Sequence, residues 1–290
     1  MLENNKNAAT ISARARTITD PAGRKKRVIS EADAADLADA MDIHLGQVYA
    51  MALENGIWPL RYLRNSDTLS PSDQLRLAQS RVAVIGAGGL GGYVLTLLAR
   101  VGIGSLVIVD PEAFEETNLN RQVFATLDSL GENKAFGAAR ALAGINPAVE
   151  IASFPERLTP VNAAALISGV HVAVDALDNI DSRRVLQAAA EKNRIPMVHG
   201  AIAGFTGQIM TVFPGEAGIL QIYGKPDNDH NQGQGPSPED LLGVLAVTPA
   251  LVGTFQAMEV IKILLDRKEI VNSRMLAADL ETGRIDFFQF

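Results

Sequence analysis

The sequence contains no cysteine among its 290 residues. This absence excludes disulfide bonds, thiolate nucleophiles, thioester intermediates on this chain and zinc sites built on cysteine. The four histidines, His44, His171, His199 and His230, stand far apart, so no HExxH-type ligand spacing occurs. The sequence therefore predicts no zinc site, and it favours chemistry that needs no side-chain thiol.

Positive charge and long apolar runs are also scarce. The 26 Lys and Arg residues are outnumbered by 33 Asp and Glu residues, which gives a net charge of −7. Nucleic-acid binding is therefore disfavoured, because it requires a positive surface. No apolar run approaches the roughly 20 residues that span a bilayer, and the first ten residues are polar. We expect a cytoplasmic globular protein with no membrane contact.

The first 60 residues do not follow the pattern of the rest of the chain. Residues 1–29 lack periodicity and end in a basic run at 24–27, which predicts a flexible tail, with an electrostatic arm for a partner as the alternative. Residues 30–60 predict a small helical module that opens at a Ser30–Asp33 capping box. Residues 31–55 carry carboxylates and no Lys or Arg, which argues against DNA docking and favours a docking or dimer-supporting role.

Short β-branched runs alternate with helical segments from residue 81 onward. The predicted strands are 81–85, 105–109, 149–154, 171–176 and 196–200, and the predicted helices lie near 89–101, 133–145, 160–168 and 181–193. These strands are apolar at consecutive positions, which is typical of strands covered on both faces. The pattern predicts an α/β fold with a doubly wound, mostly parallel Rossmann-like sheet.

The C-terminal third predicts an antiparallel extension of that sheet. Strands are expected at 206–213, 274–280 and 284–288, with an apolar helix at 249–265 whose N-cap would be Thr248. Between the first of these strands and the helix, residues 214–247 include a stretch rich in Gly, Pro, Asn and Gln. This stretch predicts a long crossover loop.

A glycine-rich turn joins the first strand of the sheet to its helix. Gly86, Gly88, Gly89 and Gly91 allow a tight turn and let backbone N–H groups approach a phosphate at the helix N-terminus. Asp110 ends the next strand, where a carboxylate can accept hydrogen bonds from ribose hydroxyls. No GxxxxGK[ST] motif is present, so a Walker-type loop is excluded. Nucleotide binding is predicted, and a dinucleotide-dependent dehydrogenase would share these features.

Further polar groups follow other strand ends: Asn118, Arg121, Gln122, Lys134, Asp178 and Asn179. The carboxyl ends of the strands line one crevice in a doubly wound sheet, so these groups are expected to converge there. Two cations and a carboxylate beside phosphates suit phosphoryl chemistry better than hydride transfer. Taken singly, each residue could instead be a solvated charge or a helix cap.

Together these segments resemble the ThiF/MoeB/HesA family, the bacterial relatives of ubiquitin-activating enzymes. The resemblance runs from about residue 61 to residue 290 and includes GAGGLG at 86–91, NLNRQ at 118–122 and DALDN at 175–179. RYLRN at 61–65 is similar to the entry segment of the family. The resemblance implies that 61–290 is an ATP-binding adenylation domain.

The resemblance also implies a role for each matching residue. ATP would contact the four glycines of the turn, Asp110, Asn118, Arg121, Gln122, Lys134 and Asn179, and Asp178 would bind Mg²⁺. Catalysis would rest on Arg121, Lys134, Asp178 and Arg64, the last reaching across the interface of a homodimer. The substrate would be the C-terminal carboxylate of a small ubiquitin-like carrier protein ending in Gly-Gly, and the products an acyl-adenylate and pyrophosphate.

The sequence departs from the family where many members carry cysteine. The stretches that match two CxxC pairs read GILQI at 218–222 and DLLG at 240–243. We therefore expect an enzyme that stops at the adenylate, with a thiol or sulfide on another protein as acceptor. The alternatives are adenylation of a small-molecule or tRNA-linked carboxylate, an NAD-dependent oxidoreductase and a catalytically silent scaffold subunit.

Overall fold

The N-terminal residues are folded in the computed structural model, which describes residues 2–224 and 238–290. A helix, α1 (Leu2–Arg14), is followed by an antiparallel hairpin of β1 (Arg16–Thr19) and β2 (Lys25–Ile29). Ile11, Val28 and Ile29 are fully buried. The prediction of a flexible tail over 1–29 is therefore wrong for the described residues.

The prediction of a flexible tail fails because the hairpin is charged on its outer face and has few apolar positions. Of β2, only its last two residues are buried, so the apolar signal in the sequence is very short. Arg24 from the basic run pairs with Asp20 and Asp67, which neutralises part of its charge within the module.

Two helices and a short strand complete the N-terminal module. They are α2 (Glu31–Met41), α3 (Leu45–Glu54) and β3 (Trp58–Pro59), which pairs with β2 in a three-stranded sheet. Ser30 caps α2 as predicted, because its hydroxyl accepts a hydrogen bond from Asp33 N at 3.1 Å. The module packs on the rest of the chain through the 3₁₀ helix Leu60–Asn65, where Tyr62 Oη accepts a hydrogen bond from Asn146 Nδ2 at 2.7 Å.

The main domain consists of eight strands and eight helices within the described residues. The helices are α4 (Pro71–Ala78), α5 (Gly89–Val101), α6 (Lys134–Ile145), α7 (Ala163–Leu166), α8 (Ile180–Asn193), α9 (Leu220–Tyr223), α10 (Pro238–Leu242) and α11 (Val247–Leu264). The strands are β4 (Arg81–Ile85), β5 (Ser105–Val109), β6 (Glu150–Phe154), β7 (Val172–Asp175), β8 (Met197–Ala203), β9 (Thr206–Val212), β10 (Arg274–Asp279) and β11 (Arg284–Gln289).

The eight strands form one sheet in the order β11-β10-β9-β8-β7-β4-β5-β6. The five strands from β8 to β6 are parallel, whereas β9, β10 and β11 are antiparallel, as predicted. Alternate residues of β4 enter two separate cores: Val82 and Val84 one core, Ala83 and Ile85 the other. The sheet is therefore covered on both faces, and the mostly parallel doubly wound fold is confirmed.

The order of the strands locates the crevice. The chain runs from β4 outward to β5 and β6 on one side, and then to β7 and β8 on the other. In an open α/β sheet, ligands bind at such a reversal, outside the carboxyl ends of the strands. The loops that follow β4, β5 and β7 are those that hold the predicted site residues.

The helix α11 starts slightly earlier than predicted and lies in the core. Its N-cap is Ala246, and the hydroxyl of Thr248 donates to Gly204 O at 2.7 Å instead of capping the helix. By length and composition α11 is the one helix among residues 2–224 and 238–290 that could cross a membrane. Half of it is buried inside the fold, against α5 and the sheet, as in the core helix of a globular domain. The predicted crossover loop at 214–247 contains α9 and α10, and its part at 225–237 lies outside the described residues.

Candidate functional site

A cleft lies at the carboxyl ends of β4, β5 and β7 and gathers most of the predicted site residues. The predicted residues that line it are Gly86, Gly88, Gly89, Asp110, Asn118, Arg121, Gln122, Lys134, Asp178 and Asn179. Segments that are more than 90 residues apart in sequence are thus brought to one place by the parallel sheet. The structure therefore brings these residues together in one crevice, as the strand pattern predicts.

The glycine turn forms the wall of the cleft beside β4. Gly86 has a φ of +100°, and an added Cβ would lie 2.4 Å from Ala176 O. A larger residue is therefore excluded both by the backbone conformation and by the contact. Gly88 is the N-cap of α5 and contributes no side chain to the cap. The first N–H groups of a helix have no intrahelical partner, so this end of α5 offers donors and partial positive charge to an anion.

Gly91 does not line the cleft. It lies on the buried side of α5, where an added Cβ would be 1.8 Å from Gly86 O. Helix α5 and the glycine turn approach each other closely at Gly91, and only a glycine leaves room for this packing.

Replacement of Gly91 by alanine is expected to destabilise the protein by about 3 kcal/mol, because the extra methyl group must push α5 away from the glycine turn. Denaturant unfolding followed by circular dichroism measures the change. The matched control is Gly144→Ala in α6, where an added Cβ meets no atom within 4 Å. The control variant should be as stable as the parent or gain about 0.5–1 kcal/mol, and equal stabilities for the two variants would contradict the close packing.

Asp110 is buried at the end of β5 and fixes the turn across from it. Only 6% of the residue is exposed. Its Oδ2 accepts from Ala87 N at 2.7 Å and its Oδ1 from Glu112 N at 2.9 Å. Burial raises the pKa of this carboxyl, and the two N–H donors oppose that rise. A carboxylate has about four acceptor positions, so the carboxylate of Asp110 can still accept from a ligand hydroxyl.

Two of the cations predicted for the site are held by neighbours on the protein. Lys134 is 5% exposed, and its Nζ lies 2.7 Å from Glu112 Oε2. Arg121 donates through Nη1 to Thr117 O at 2.8 Å and to Asn120 Oδ1 at 2.9 Å. Both side chains are therefore positioned beside the cleft by contacts that the structure already contains.

The charges around the cleft nearly cancel. Its lining has three cations and four carboxylates: Arg121, Lys134 and Arg157, and Asp110, Glu112, Glu156 and Asp178. The lining therefore has no excess of positive charge with which to neutralise a polyanion.

The segment after β7 presents one carboxylate and one helix cap. Asn179 caps α8, since its Oδ1 accepts from Ser182 N at 2.9 Å, and its Nδ2 donates to Asp178 Oδ1 at 3.0 Å. Asp178 itself is exposed and does not cap the helix. No group of three or more Asp, Glu or His side chains that could hold a metal occurs in the described part of the chain. A cation at Asp178 would therefore need oxygen ligands from a bound molecule or water.

Gln122 carries an acceptor without a partner. Its Oε1 is buried and makes no hydrogen bond among the described residues, and its amide lies beside Gly88. A buried unpaired acceptor is costly, and a ligand with a donor group would satisfy it. The neighbouring Asn118 is used locally, because its Oδ1 accepts from Glu115 N at 3.0 Å and closes a turn.

Two residues predicted for the site, Gly91 and Arg64, do not line the cleft, and three charged residues that do line it, Glu112, Glu156 and Arg157, were not predicted. Arg64 is exposed on the 3₁₀ helix Leu60–Asn65 and is absent from the cleft of its own chain. Glu112 and Arg157 line the cleft from the loops after β5 and β6. Glu112 stands two residues after Asp110, so the strand end was the available signal for it, whereas the turn that holds Arg157 has no distinctive motif.

Comparisons with known proteins identify the family that this chain resembles. The model of the ThiF family matches residues 62–290. The SAMP-activating enzyme E1 of Haloferax volcanii is 39% identical over 222 residues, which cover 76% of this chain and 80% of the relative. The sulfur carrier protein adenylyltransferase of Thermus thermophilus is 37% identical over 203 residues, covering 68% and 73%.

A solved structure also shares the fold. MccB of E. coli, crystallised with ATP, superposes with a TM-score of 0.68 over 88% of this chain and 82% of that chain, at 19% sequence identity. At this identity the likeness concerns the fold alone.

Proposed function

The chain belongs to the ThiF family, and on that premise we propose that it is an ATP-dependent adenylyltransferase acting on the C-terminal carboxylate of a ubiquitin-like sulfur carrier. The proposal rests on one observation. One cleft is lined by the glycine turn together with Arg121, Lys134 and Asp178. An NAD-dependent oxidoreductase would need the glycine turn and Asp110, but it would leave these three charged groups without a task.

The cleft fits ATP at several points. The free N-terminus of α5 at Gly88 and Gly89 suits the triphosphate, and Asp110 suits the ribose hydroxyls. The unpaired Oε1 of Gln122 requires a donor, which a nucleotide can supply. Arg121 and Lys134 would neutralise phosphate oxygens at the rim and at the floor of the cleft.

Asp178 is the proposed Mg²⁺ ligand. Mg²⁺ prefers carboxylate and phosphate oxygens and water, and Asp178 is an exposed carboxylate at the mouth of the cleft. A triphosphate added to a lining with four carboxylates and three cations needs further positive charge, which a divalent ion would supply.

In the proposed reaction, a carboxylate oxygen of the carrier forms a bond to the α-phosphorus, and the bond from that phosphorus to the pyrophosphate oxygen breaks. The products are an acyl-adenylate and pyrophosphate. The protein orients the two reactants and stabilises the developing charge, so no side-chain nucleophile is required. Because the chain has no cysteine, it forms no thioester of its own, and the acyl group would pass to a thiol or sulfide on another protein.

We also propose a homodimer in which Arg64 of each protomer serves the cleft of its partner. Arg64 is exposed and lies outside the cleft of its own chain, as such a role requires. The proposed location is the cytoplasm, where a carrier with a free C-terminus and ATP would both be available.

The experiment is an ATP–pyrophosphate exchange assay with a Gly-Gly-ending ubiquitin-like carrier from the same genome. Exchange should require this carrier and should be lost when its Gly-Gly is deleted, because the deletion moves the reacting carboxylate out of reach. A carrier with an amidated C-terminus is the control that removes the carboxylate alone. Exchange that proceeds with small carboxylic acids and not with the carrier would favour the small-molecule alternative.

A further inference from the structure

A buried polar network lies directly beneath the cleft and consists of Asp175, His199, Tyr223 and Arg183. Asp175 ends β7 and His199 lies on the adjacent β8, and both are fully buried. Arg183, in the first half of α8, is 5% exposed. Tyr223 is the last residue of α9, which lies within the predicted crossover loop at 214–247. None of these four side chains has a task in the proposed chemistry.

The hydrogen bonds of the network run in one direction. Burial lowers the pKa of His199, so the ring is neutral and its Nδ1–H donates to Asp175 Oδ2 at 2.7 Å. Its Nε2 is then an acceptor, and Tyr223 Oη, 3.2 Å away, is the donor. Burial also raises the pKa of Tyr223, which keeps the hydroxyl protonated. The phenol oxygen accepts from Arg183 Nη1 at 2.8 Å and from Gln208 Nε2 at 3.0 Å.

This network holds the peptide that precedes Asp178. Asp175 Oδ1 accepts from Leu177 N at 3.0 Å. Arg183 donates to Leu177 O from Nη2 at 2.6 Å and from Nε at 3.2 Å. Both backbone polar groups of Leu177 are thus fixed by members of the network, and the next residue is the carboxylate proposed to bind the metal.

The other end of the network is tied to the end of α9. Arg184 Nη2 donates to Tyr223 O and to Gly224 O, each at 3.2 Å. The ring of Tyr223 meets His199 edge-on, with ring centroids 5.7 Å apart, and Arg183 lies over its face at 5.6 Å. A shift of α9 would therefore change the contacts of Arg183 and His199 together.

We infer that Tyr223 is a positioning residue, which sets the orientation of the Asp178 turn through His199, Asp175 and Arg183 and so couples α9 to the carboxylate proposed to bind Mg²⁺. The inference rests on the proposed function, because it gives Asp178 its role. It differs from a purely structural role in predicting that loss of one hydroxyl changes the demand for Mg²⁺.

The test compares Tyr223→Phe with Tyr49→Phe. Tyr49 is a matched control: it is buried in the N-terminal module, where its hydroxyl donates to Glu31 Oε2 at 2.9 Å, far from the cleft in the fold. Amide hydrogen exchange at 176–179 in the ligand-free protein should become about five- to tenfold faster in Tyr223→Phe and stay unchanged in Tyr49→Phe. The Mg²⁺ concentration for half-maximal ATP–pyrophosphate exchange should rise by a similar factor, while ATP binding without Mg²⁺ stays as in the parent.

Arg183→Lys keeps the charge but loses the planar fork that reaches both Tyr223 and Leu177. It should therefore raise both the amide exchange rate at 176–179 and the Mg²⁺ requirement, as Tyr223→Phe does. Unchanged amide exchange at 176–179 together with an unchanged Mg²⁺ requirement in Tyr223→Phe would overturn the inference. If the parent protein itself catalyses no pyrophosphate exchange, the proposed function fails, and the amide exchange of the ligand-free variants still decides whether the network holds the turn.

Discussion

Asp178→Ala is expected to lower carrier-dependent ATP–pyrophosphate exchange by about 10²–10³-fold, because one charge contact made in the transition state is commonly worth this much. Among the carboxylates of the cleft, Glu112 is paired with Lys134 and Asp110 is buried and engaged by two N–H donors. Asp178 is exposed and its described partner is the amide of Asn179, which leaves its carboxylate available to a cation. The rate at saturating ATP and carrier, measured over a range of Mg²⁺ concentrations, gives the effect.

Asp181→Ala is the matched control for this change. Asp181 lies three residues further on, in the first turn of α8, and its carboxylate pairs with Arg184 at an exposed position. The Asp181→Ala substitution removes the same charge from the same region, at a residue that does not line the cleft. Its exchange rate should stay within about twofold of the parent, in keeping with the small energies of exposed ion pairs. A comparable loss in both variants would show that general electrostatics, and not a bound metal, is responsible.

Arg121→Ala is the second change with a large expected effect. Its guanidinium lies at the rim of the cleft, held by Thr117 O and Asn120 Oδ1, and it is proposed to neutralise phosphate oxygens as pyrophosphate leaves. Loss of such a contact should cost about 3–4 kcal/mol of transition-state stabilisation. The ratio of kcat/KM for ATP between parent and variant converts directly to this free energy.

The control for Arg121 is Arg140→Ala, an exposed residue of α6 that pairs with Glu132 away from the cleft. Its kcat/KM should be close to that of the parent. Arg121→Lys is a further variant of interest, since lysine keeps the charge but cannot donate from a planar fork. Near-parent activity in Arg121→Ala would remove this residue from the proposed site.

The main sheet could be predicted from the sequence because its strands are apolar at consecutive positions. Such runs at 82–85 and 106–109 are typical of strands that helices cover on both faces of a sheet, and the structure places those residues in two cores. The glycine turn could be located for a similar reason, since Gly86 has a backbone conformation that larger residues rarely adopt. Local constraints of this kind are visible in a few consecutive residues.

The N-terminal hairpin and the network beneath the cleft could not be predicted, because their stabilising contacts are distant in sequence. Val28 and Ile29 are buried against α1, α2 and α3, and little in the charged residues before them indicates a strand. In the network, Asp175 and Tyr223 are 48 positions apart, and the pairing of β7 with β8 places His199 between them.

The individual site residues show the same limit. The convergence of Asp110, Lys134 and Asp178 follows from strand order, which the sequence pattern indicates. The sequence could not separate Asp178 from Asn179 as the helix cap, because both residue types cap helices well, and the geometry assigns the cap to Asn179. For Arg64, the predicted role depends on a second protomer, so one chain alone leaves it a prediction.

We propose that one cleft holds a triphosphate between the glycine turn and the charged residues at the strand ends. Crystals grown with a non-hydrolysable ATP analogue and Mg²⁺ test it most directly. We expect triphosphate density at the N-terminus of α5, Arg121 and Lys134 on its oxygens, and a metal ion on the carboxylate of Asp178. A cleft that stays empty under these conditions, or that binds a nicotinamide dinucleotide with Asp178 turned to solvent, would contradict it.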